Sequence, residues 1–375
     1  MSHSVKGWCP GAYRPMMSGD GLIIRVRPRL GRLTCAQALG LCDLSQRYGN
    51  GLIDLTSRAN LQLRGVALQE HDAVLDQLLT LGMLDETPDL EARRNILTTP
   101  DWIAGDITTR LHDALVARLG ELPNLPAKMG FALDTGAAPL LTGASGDFRL
   151  ERGAKDGDLV LRADGMGQGR AVTESTAIDA IIEMAHWYHQ CAKADTKRMA
   201  QLVRQTELPP NWCDTDPRRA AACLVPGVLG TDRVYGVAFG SIRSTSLQAL
   251  LRDSRATALR TTPWRLLVLE DAQDCAEHGF ISESKDALLS AHACAGSPAC
   301  GSASVETRAL ARALAPYYPK GLHVSGCAKG CALPKDCATT IVGRNGAYDL
   351  IEQGAPWDSP RQQGLLAQDL MNIKA

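Results

Sequence analysis

Two pairs of cysteines near the C-terminal end of the 375-residue chain have residue types and spacing suited to chemistry. Cys294 and Cys300 stand in "ACAGSPACGSA", a C-x5-C spacing. Cys327 and Cys331 stand in "GCAKGCAL", a C-x3-C spacing. A zinc ribbon favours C-x2-C pairs on tight knuckles. The looser spacings here suit a [4Fe-4S] cubane, whose four irons are spread apart and each take one thiolate. Ala293, Gly296, Gly326 and Gly330 would let the backbone approach a bulky inorganic core and aim amides at it. The same residues also read as a buried turn rich in small side chains. Cys337, six positions beyond Cys331, reads as a buried thiol, and His292 and His323 as neighbours that would donate to the ligands rather than coordinate.

A second set is cationic. Arg58 and Arg64 flank a short turn in "LTSRANLQLRG", Arg94 lies in "RRNIL" and Lys128 in "LPAKMGFALD". An arginine fork grips a carboxylate with two parallel hydrogen bonds, so a fixed group of such cations suits a polycarboxylate ligand. Scattered on a surface, the same residues would be solvated charges. Arg260 and Arg265 occupy a comparable later turn, and Arg93 is the alternative to Arg94. His186 and His189, at i and i+3 in "HWYH", fit helix packing better than metal ligation. No Walker or Rossmann fingerprint is present, so no nicotinamide site is expected on this chain.

These residues need elements to position them. Leu22, Ile24 and Val26 alternate with polar or outward positions and predict a strand. Thr34 predicts an N-cap for a helix ending at Gly49. Cys35, Ala38, Leu39 and Cys42 make its buried stripe, so both cysteines are core residues. "GLIDLTSRANLQLRGV" predicts strand, turn and strand, with a helix over roughly 69–83. The order recurs in "RVYGVAFGSI", "STSLQALLRDSRA" and "TALRTTPWRLLVLED". Thr56-Ser57-Arg58 aligns with Thr262-Pro263-Trp264, and Leu61 and Leu63 with Leu267 and Leu269, which implies two related β-α-β-β units. The fold class is therefore α+β. A helical stretch joins the two units, and "TELPPNWCDTDPRRA" is the linker candidate. "VGRNGAYDL" predicts a hairpin turn.

Composition narrows the functional class. Formal net charge is −1, so no global field favours nucleic acid or an anionic membrane. The chain contains no uncharged apolar run long enough to span a membrane, and "MSHSVKGWCPGAYRPMM" lacks a signal-peptide core. A cytoplasmic location follows as the expectation. In that reducing compartment twelve cysteines are not six disulfides.

The C-x5-C and C-x3-C pairs, the second inside "HVSGCAKGCA", resemble the cluster signature of sulfite and nitrite reductases. "LTSRANLQLRG", "RRNIL" and "LPAKMGFALD" resemble, in order, that family's tetrapyrrole-binding segments. The sequence departs where the family's second lysine is replaced by Gly130. With "GWCPGAYRPMMSGDGLIIRVRP" and "FALDTG", the chain resembles one branch, the precorrin-3B synthases of aerobic cobalamin biosynthesis.

The resemblance implies a pseudo-twofold repeat of ferredoxin-like and larger mixed α/β units. Segments 1–85 and 206–280 would be the ferredoxin-like halves, 86–205 the tetrapyrrole-binding unit with its helical connector, and 281–375 the cluster domain. It implies a [4Fe-4S] cluster on Cys294, Cys300, Cys327 and Cys331, and precorrin-3A bound through Arg58, Arg64, Arg94 and Lys128. Cys9 and Asp20 would lie near the substrate or in structural turns. It further implies a mononuclear non-haem iron with ligands the sequence does not reveal, dioxygen as oxidant, and electrons from NADH through a separate reductase. The competing readings are a reductase with resident sirohaem and a non-catalytic metal-binding module.

Overall fold

A computed structural model describes residues 10–155 and 157–372. Cys9 lies outside them. The first hairpin pairs β1 (Met16–Ser18) with β2 (Gly21–Val26), whose Leu22, Ile24 and Val26 point into the core. After β3 (Arg32–Thr34) comes α1 (Cys35–Tyr48), where Thr34 and Gln37 form a reciprocal capping box. Strands β4 (Leu52–Leu55) and β5 (Leu61–Val66) follow, then α2 (His71–Thr80) and α3 (Pro88–Arg93).

A mixed unit comes next. It runs β6 (Ile96–Thr98), α4 (Ile107–Ala117), β7 (Phe131–Asp134), β8 (Phe148–Arg152), β9 (Leu159–Ala163), β10 (Arg170–Val172), α5 (Ala177–Cys191) and α6 (Met199–Leu202). The second copy of the small unit supplies β11 (Gly227–Leu229), β12 (Asp232–Gly236), β13 (Ser241–Arg243), α7 (Ser244–Ser254), β14 (Ala258–Thr261) and β15 (Leu266–Glu270). A second mixed unit then runs β16 (Ala291–Ala293), α8 (Arg308–Leu314), β17 (Leu322–Ser325), β18 (Cys337–Arg344), β19 (Ala347–Gly354), β20 (Gln362–Leu365) and α9 (Ala367–Asn372).

The anticipated internal repeat is present and more entangled than the sequence suggested. The small sheets have orders β1-β2-β5-β4-β13 and β11-β12-β15-β14-β3, so each half lends a strand to the other. Helices α1 and α7 pack together over one shared core that includes Leu41, Leu63, Leu247 and Leu267. The aligned turns agree in detail. Thr56 Oγ1 accepts from the amides of Arg58 and Asn60, and Thr262 Oγ1 from those of Trp264 and Leu266. Ala59 and Arg265, three residues after the threonines, both have positive φ.

The mixed sheets repeat as well. Orders β6-β7-β8-β9-β10 and β16-β17-β18-β19-β20 each contain two parallel pairs, then two antiparallel pairs. One face of the first packs Phe131, Leu133, Phe148 and Leu150 against α4 and α5. One face of the second packs Ala291, Leu322, Val324 and Ile341 with Leu310 and Leu314 of α8. Asn345-Gly346, both at positive φ, form the predicted two-residue turn between β18 and β19.

The proline-containing stretch is packed rather than a bare linker. Trp212 is buried edge-on to Trp187, and residues 215 and 217 bridge to Gly169 and Gly153 at the first mixed sheet. Apolar burial of an aromatic of this size outweighs the turn propensity of two prolines.

Candidate functional site

The four cysteines come from two loops at the carboxyl ends of parallel strands. Cys294 and Cys300 lie between β16 and α8, and Cys327 and Cys331 between β17 and β18. Parallel neighbours deliver both loops to the same edge of the sheet, where open α/β sheets bind ligands. The loops are tied to each other and internally. The Gly326 amide donates to Cys294 Sγ at 3.2 Å, Ser325 Oγ to Cys327 O at 2.8 Å, and Lys329 Nζ to Ser302 Oγ at 3.0 Å. Gly296 and Gly330 turn the loops through positive φ.

Burial pushes the Cys331 thiol up, and the Cys294, Cys327 and Cys300 sulfurs beside it add to the rise. The four sulfurs thus share one electrostatic neighbourhood. Among the described residues no three His, Cys, Asp or Glu side chains converge as a single metal ion would require. A cubane asks for less, because its irons hold the thiolates further apart. The donor set, the amide aimed at Cys294 and the small neighbours fit such a cluster. Cys331 is exposed, whereas Cys294, Cys300 and Cys327 are half-buried. Cys337 starts β18, and its Sγ lies beside Gly321 at the start of β17. That is the opposite end of the parallel strands from the two loops.

His292 and His323 are register partners on β16 and β17, on the sheet face opposite the α8 core. His323 is fully buried, and neither of its ring nitrogens has a hydrogen-bond partner among the described residues. Burial holds His323 down at about 4. Burial, then Arg265, His323 and Lys335, hold His292 at about 3. Both are neutral at physiological pH. Among the described residues neither ring donates to a cysteine, so the expected ligand-supporting bonds are not formed. His186 and His189 sit on the exposed face of α5, with His186 Nε2 bonded to Glu121 O.

The basic residues separate into two groups. Arg58 is half-buried, and its Nη2 donates to Lys128 O at 2.7 Å and its Nε to Ser145 Oγ at 3.3 Å. The turn between β4 and β5 is thereby fastened to the segment that carries exposed Lys128. Arg198, which no sequence pattern singled out, reaches the same Ser145 and pairs with buried Asp147 at 2.9 Å.

Arg64 and Arg94, expected to grip a ligand carboxylate, are held here by carboxylates of the chain itself. Arg94 is 3% exposed, donating to Asp85 at 2.6 Å, Glu91 at 3.0 Å and Arg27 O at 2.7 Å. Arg64 is 5% exposed and is taken up by Asp20 and Asp54. Burying a guanidinium demands such partners, and the chain supplies them itself. Arg93 instead lines a cleft of about 660 Å³ with Tyr13, Arg14, Leu125 and Met129, while bonding to Asp89. Arg260 and Arg265 are also spoken for: Arg260 holds the carbonyls of Pro100 and Trp102, and Arg265 those of Ala291 and Leu289.

Gly130 has a steric explanation. A Cβ there would lie 2.6 Å from both the carbonyl oxygen and the side-chain nitrogen of Asn95. No lysine fits at that position without moving the backbone.

Comparison with known proteins places these features. Residues 14–81 match the nitrite/sulfite reductase ferredoxin-like half domain. The chain is 31% identical to a precorrin-3B synthase of a Sinorhizobium species, over 93% of this chain and 83% of that protein. It is 30% identical to a ferredoxin–nitrite reductase of Synechococcus elongatus, over 42% of this chain and 33% of that one. Among solved structures, Mycobacterium tuberculosis NirA superposes with a TM-score of 0.64 at 17% identity, covering 94% of this chain and 79% of that chain. This last likeness concerns the fold, and it agrees with the α+β architecture.

Proposed function

We propose that this chain, which belongs to the precorrin-3B synthase family, is a monooxygenase that converts precorrin-3A to precorrin-3B in aerobic cobalamin biosynthesis. In this reading dioxygen supplies a hydroxyl at carbon 20 of the macrocycle, and the ring A acetate closes a γ-lactone at carbon 1. The observation that carries it is the near-full-length identity with a precorrin-3B synthase, against nitrite reductase matches that span less than half the chain.

Cys294, Cys300, Cys327 and Cys331 would hold a [4Fe-4S] cluster. A mononuclear non-haem iron completes the reading, with no ligands assigned. Iron centres supply the one-electron steps that triplet dioxygen requires before it reacts with closed-shell carbon. The protein's own part is binding and orientation. Arg58 and Lys128, fastened together through the Lys128 carbonyl, would present two cations to the acetate and propionate groups. The guanidinium plane is fixed by Ser145, so little side-chain entropy remains to be lost on binding.

The lack of room for a lysine at Gly130 argues against resident sirohaem held in the reductase manner. Electrons would come from NADH through a separate cytoplasmic reductase, since the chain has no dinucleotide fingerprint. The test is anaerobic incubation with precorrin-3A, then dioxygen and reductant, with mass analysis. One added oxygen atom is the expected product. Unchanged precorrin-3A, or a sirohaem spectrum in the purified protein, would overturn the reading.

A further inference from the structure

We propose that Arg64 is a positioning residue for the loop carrying Cys294 and Cys300, acting with the tip of the first hairpin as a clamp. This rests on the cluster assignment above. The hairpin tip is Ser18-Gly19-Asp20-Gly21, between β1 and β2. Ser18 Oγ donates to the Ala299 carbonyl at 2.9 Å, and Arg64 Nη2 donates to the same carbonyl at 3.3 Å. Arg64 also donates to Ser18 Oγ at 3.3 Å and, through Nε and Nη2, to both oxygens of Asp20 at 3.0 Å. Its Nη1 donates to Asp54 Oδ2 at 3.2 Å. One buried guanidinium therefore joins the hairpin, the small sheet and the residue next to Cys300.

The seat is tight. A Cβ on Gly19 would lie 2.8 Å from Pro298 O and 2.9 Å from Gly301 N, both backbone atoms. The far end of the loop is tied to the same place, because Arg308 at the start of α8 donates to Asp54 Oδ1 at 3.0 Å. Arg64 thus holds the loop near its middle, and Asp54 holds it where α8 begins.

The second half repeats the device with the charges exchanged. By the alignment of Thr56 with Thr262, Asp54 corresponds to Arg260 and Arg64 to Glu270. Arg260 pairs with Glu270 at 2.5 Å and donates to the carbonyls of Pro100 and Trp102, each at 2.7 Å. Those carbonyls lie in the loop between β6 and α4, the counterpart of the cysteine loop. The small sheets thus grip the equivalent loop of a mixed unit in both halves. On the cysteine side the grip fixes where Cys300 stands.

The test compares the wild-type protein with Gly19→Ala and Ser18→Ala, each purified anaerobically and loaded with iron and sulfide. Gly19 has an ordinary backbone conformation, so the added methyl meets the 298–301 segment. Arg64→Met is a third variant, set apart because it takes from Asp20 its only paired cation among the described residues and leaves Asp54 with Arg308 alone, which endangers folding. The readouts are iron and acid-labile sulfide, the rate of cluster loss to a chelator, and the melting temperature of the apoprotein. Gly19→Ala is expected to lose its cluster on the order of tenfold faster, and Ser18→Ala to lose it faster by a smaller factor, with apoprotein melting unchanged. Wild-type rates of cluster loss in both Gly19→Ala and Ser18→Ala would overturn the clamp. A wild-type protein that takes up no iron and sulfide would overturn the cluster assignment, and the clamp with it.

Discussion

The two mixed units share strand order and connectivity, yet they secure their equivalent loops by different means. In the first, the loop between β7 and β8 closes over Arg149, whose side chain is 1% exposed. Arg149 donates to the carbonyls of Leu141, Ala144 and Gly146 and pairs with Glu151 at 3.0 Å. In the second, the register partner of His323 on β18 is Thr340, standing where Arg149 stands opposite Ala132. Thr340 Oγ1 turns to Gly354 O instead. The loop above it carries Cys327 and Cys331. One loop has an internal cation bonded to its carbonyls, and the other presents thiols that an inorganic core would draw together. The two frames share one strand order, and a few side chains at the carboxyl ends of the strands distinguish the loops they carry.

The largest effect that would sharpen this contrast is on the cluster itself. Cys300→Ser is expected to lose iron, sulfide and activity together, since three thiolates do not satisfy four irons. Asp101→Ala, in the equivalent loop of the first unit, should leave iron and sulfide content unchanged. Iron and sulfide assays on both variants check it. Full activity in a cluster-free Cys300→Ser protein would remove the distinction between the halves.

Arg149→Met comes next. It leaves Glu151 with Arg162 alone and strips a cation from three carbonyls, a buried-network loss of about 3–5 kcal/mol. Thermal unfolding should show it directly. Hydrogen exchange should show the loop between β7 and β8 opening first, with the cysteine loops still protected in the loaded protein. Equal loosening of both loops would mean that the two units are not independently secured.

Much of this frame was legible in the sequence, because its signals were local. Alternation of Leu22, Ile24 and Val26, the Thr34 cap and the Thr56/Thr262 alignment each depend on neighbours within a few positions. The two cysteine pairs were legible for the same reason. Strand exchange was not, since nothing in "RLT" or "SIR" says that β3 and β13 pair with the other half. The fates of Arg64 and Arg94 were hidden too. Their carboxylate partners Asp20, Asp54, Asp85 and Glu91 lie on other elements or around a turn, and a guanidinium looks the same in sequence whether it faces ligand or is buried in an ion pair. Arg198 was missed because its partner Asp147 is 51 residues away.

A smaller effect tests the turn that distinguishes the two small units. Arg58 occupies the place that Trp264 holds in the second copy. Arg58→Ala should raise the KM for precorrin-3A, by the roughly 1.5–3 kcal/mol of a charge-assisted hydrogen bond, with kcat little changed. Trp264→Phe should leave KM where it is. Steady-state kinetics on both variants check this, and an unchanged KM for Arg58→Ala would reduce that residue to a fastener of the Lys128 segment.

The smallest expected effect concerns the face beneath the cysteine loops. The first unit covers it with Leu97, packed on Ala59, Leu141 and Ala144, whereas the second places His292 and His323 there beside Arg265. His323 in the folded chain is held at about 4, below the value of ~6.5 for an unfolded imidazole. A base depressed by folding favours the folded state while it is neutral, above pH ~6.5. That contribution drains away as pH falls from there through about 4. His323→Leu removes a proton-binding group whose nitrogens make no hydrogen bond to the described residues, and its apolar side chain suits a fully buried place. The apoprotein variant should match the wild type near pH 7.5. It should be more stable than wild type by about 1–2 kcal/mol at pH 5, because only the wild type binds a proton on unfolding. Thermal melts of both apoproteins across pH 4–8 measure the difference. Parallel curves would show that a buried partner keeps the His323 imidazole from paying this penalty, and the contrast between the two faces would then be one of shape alone.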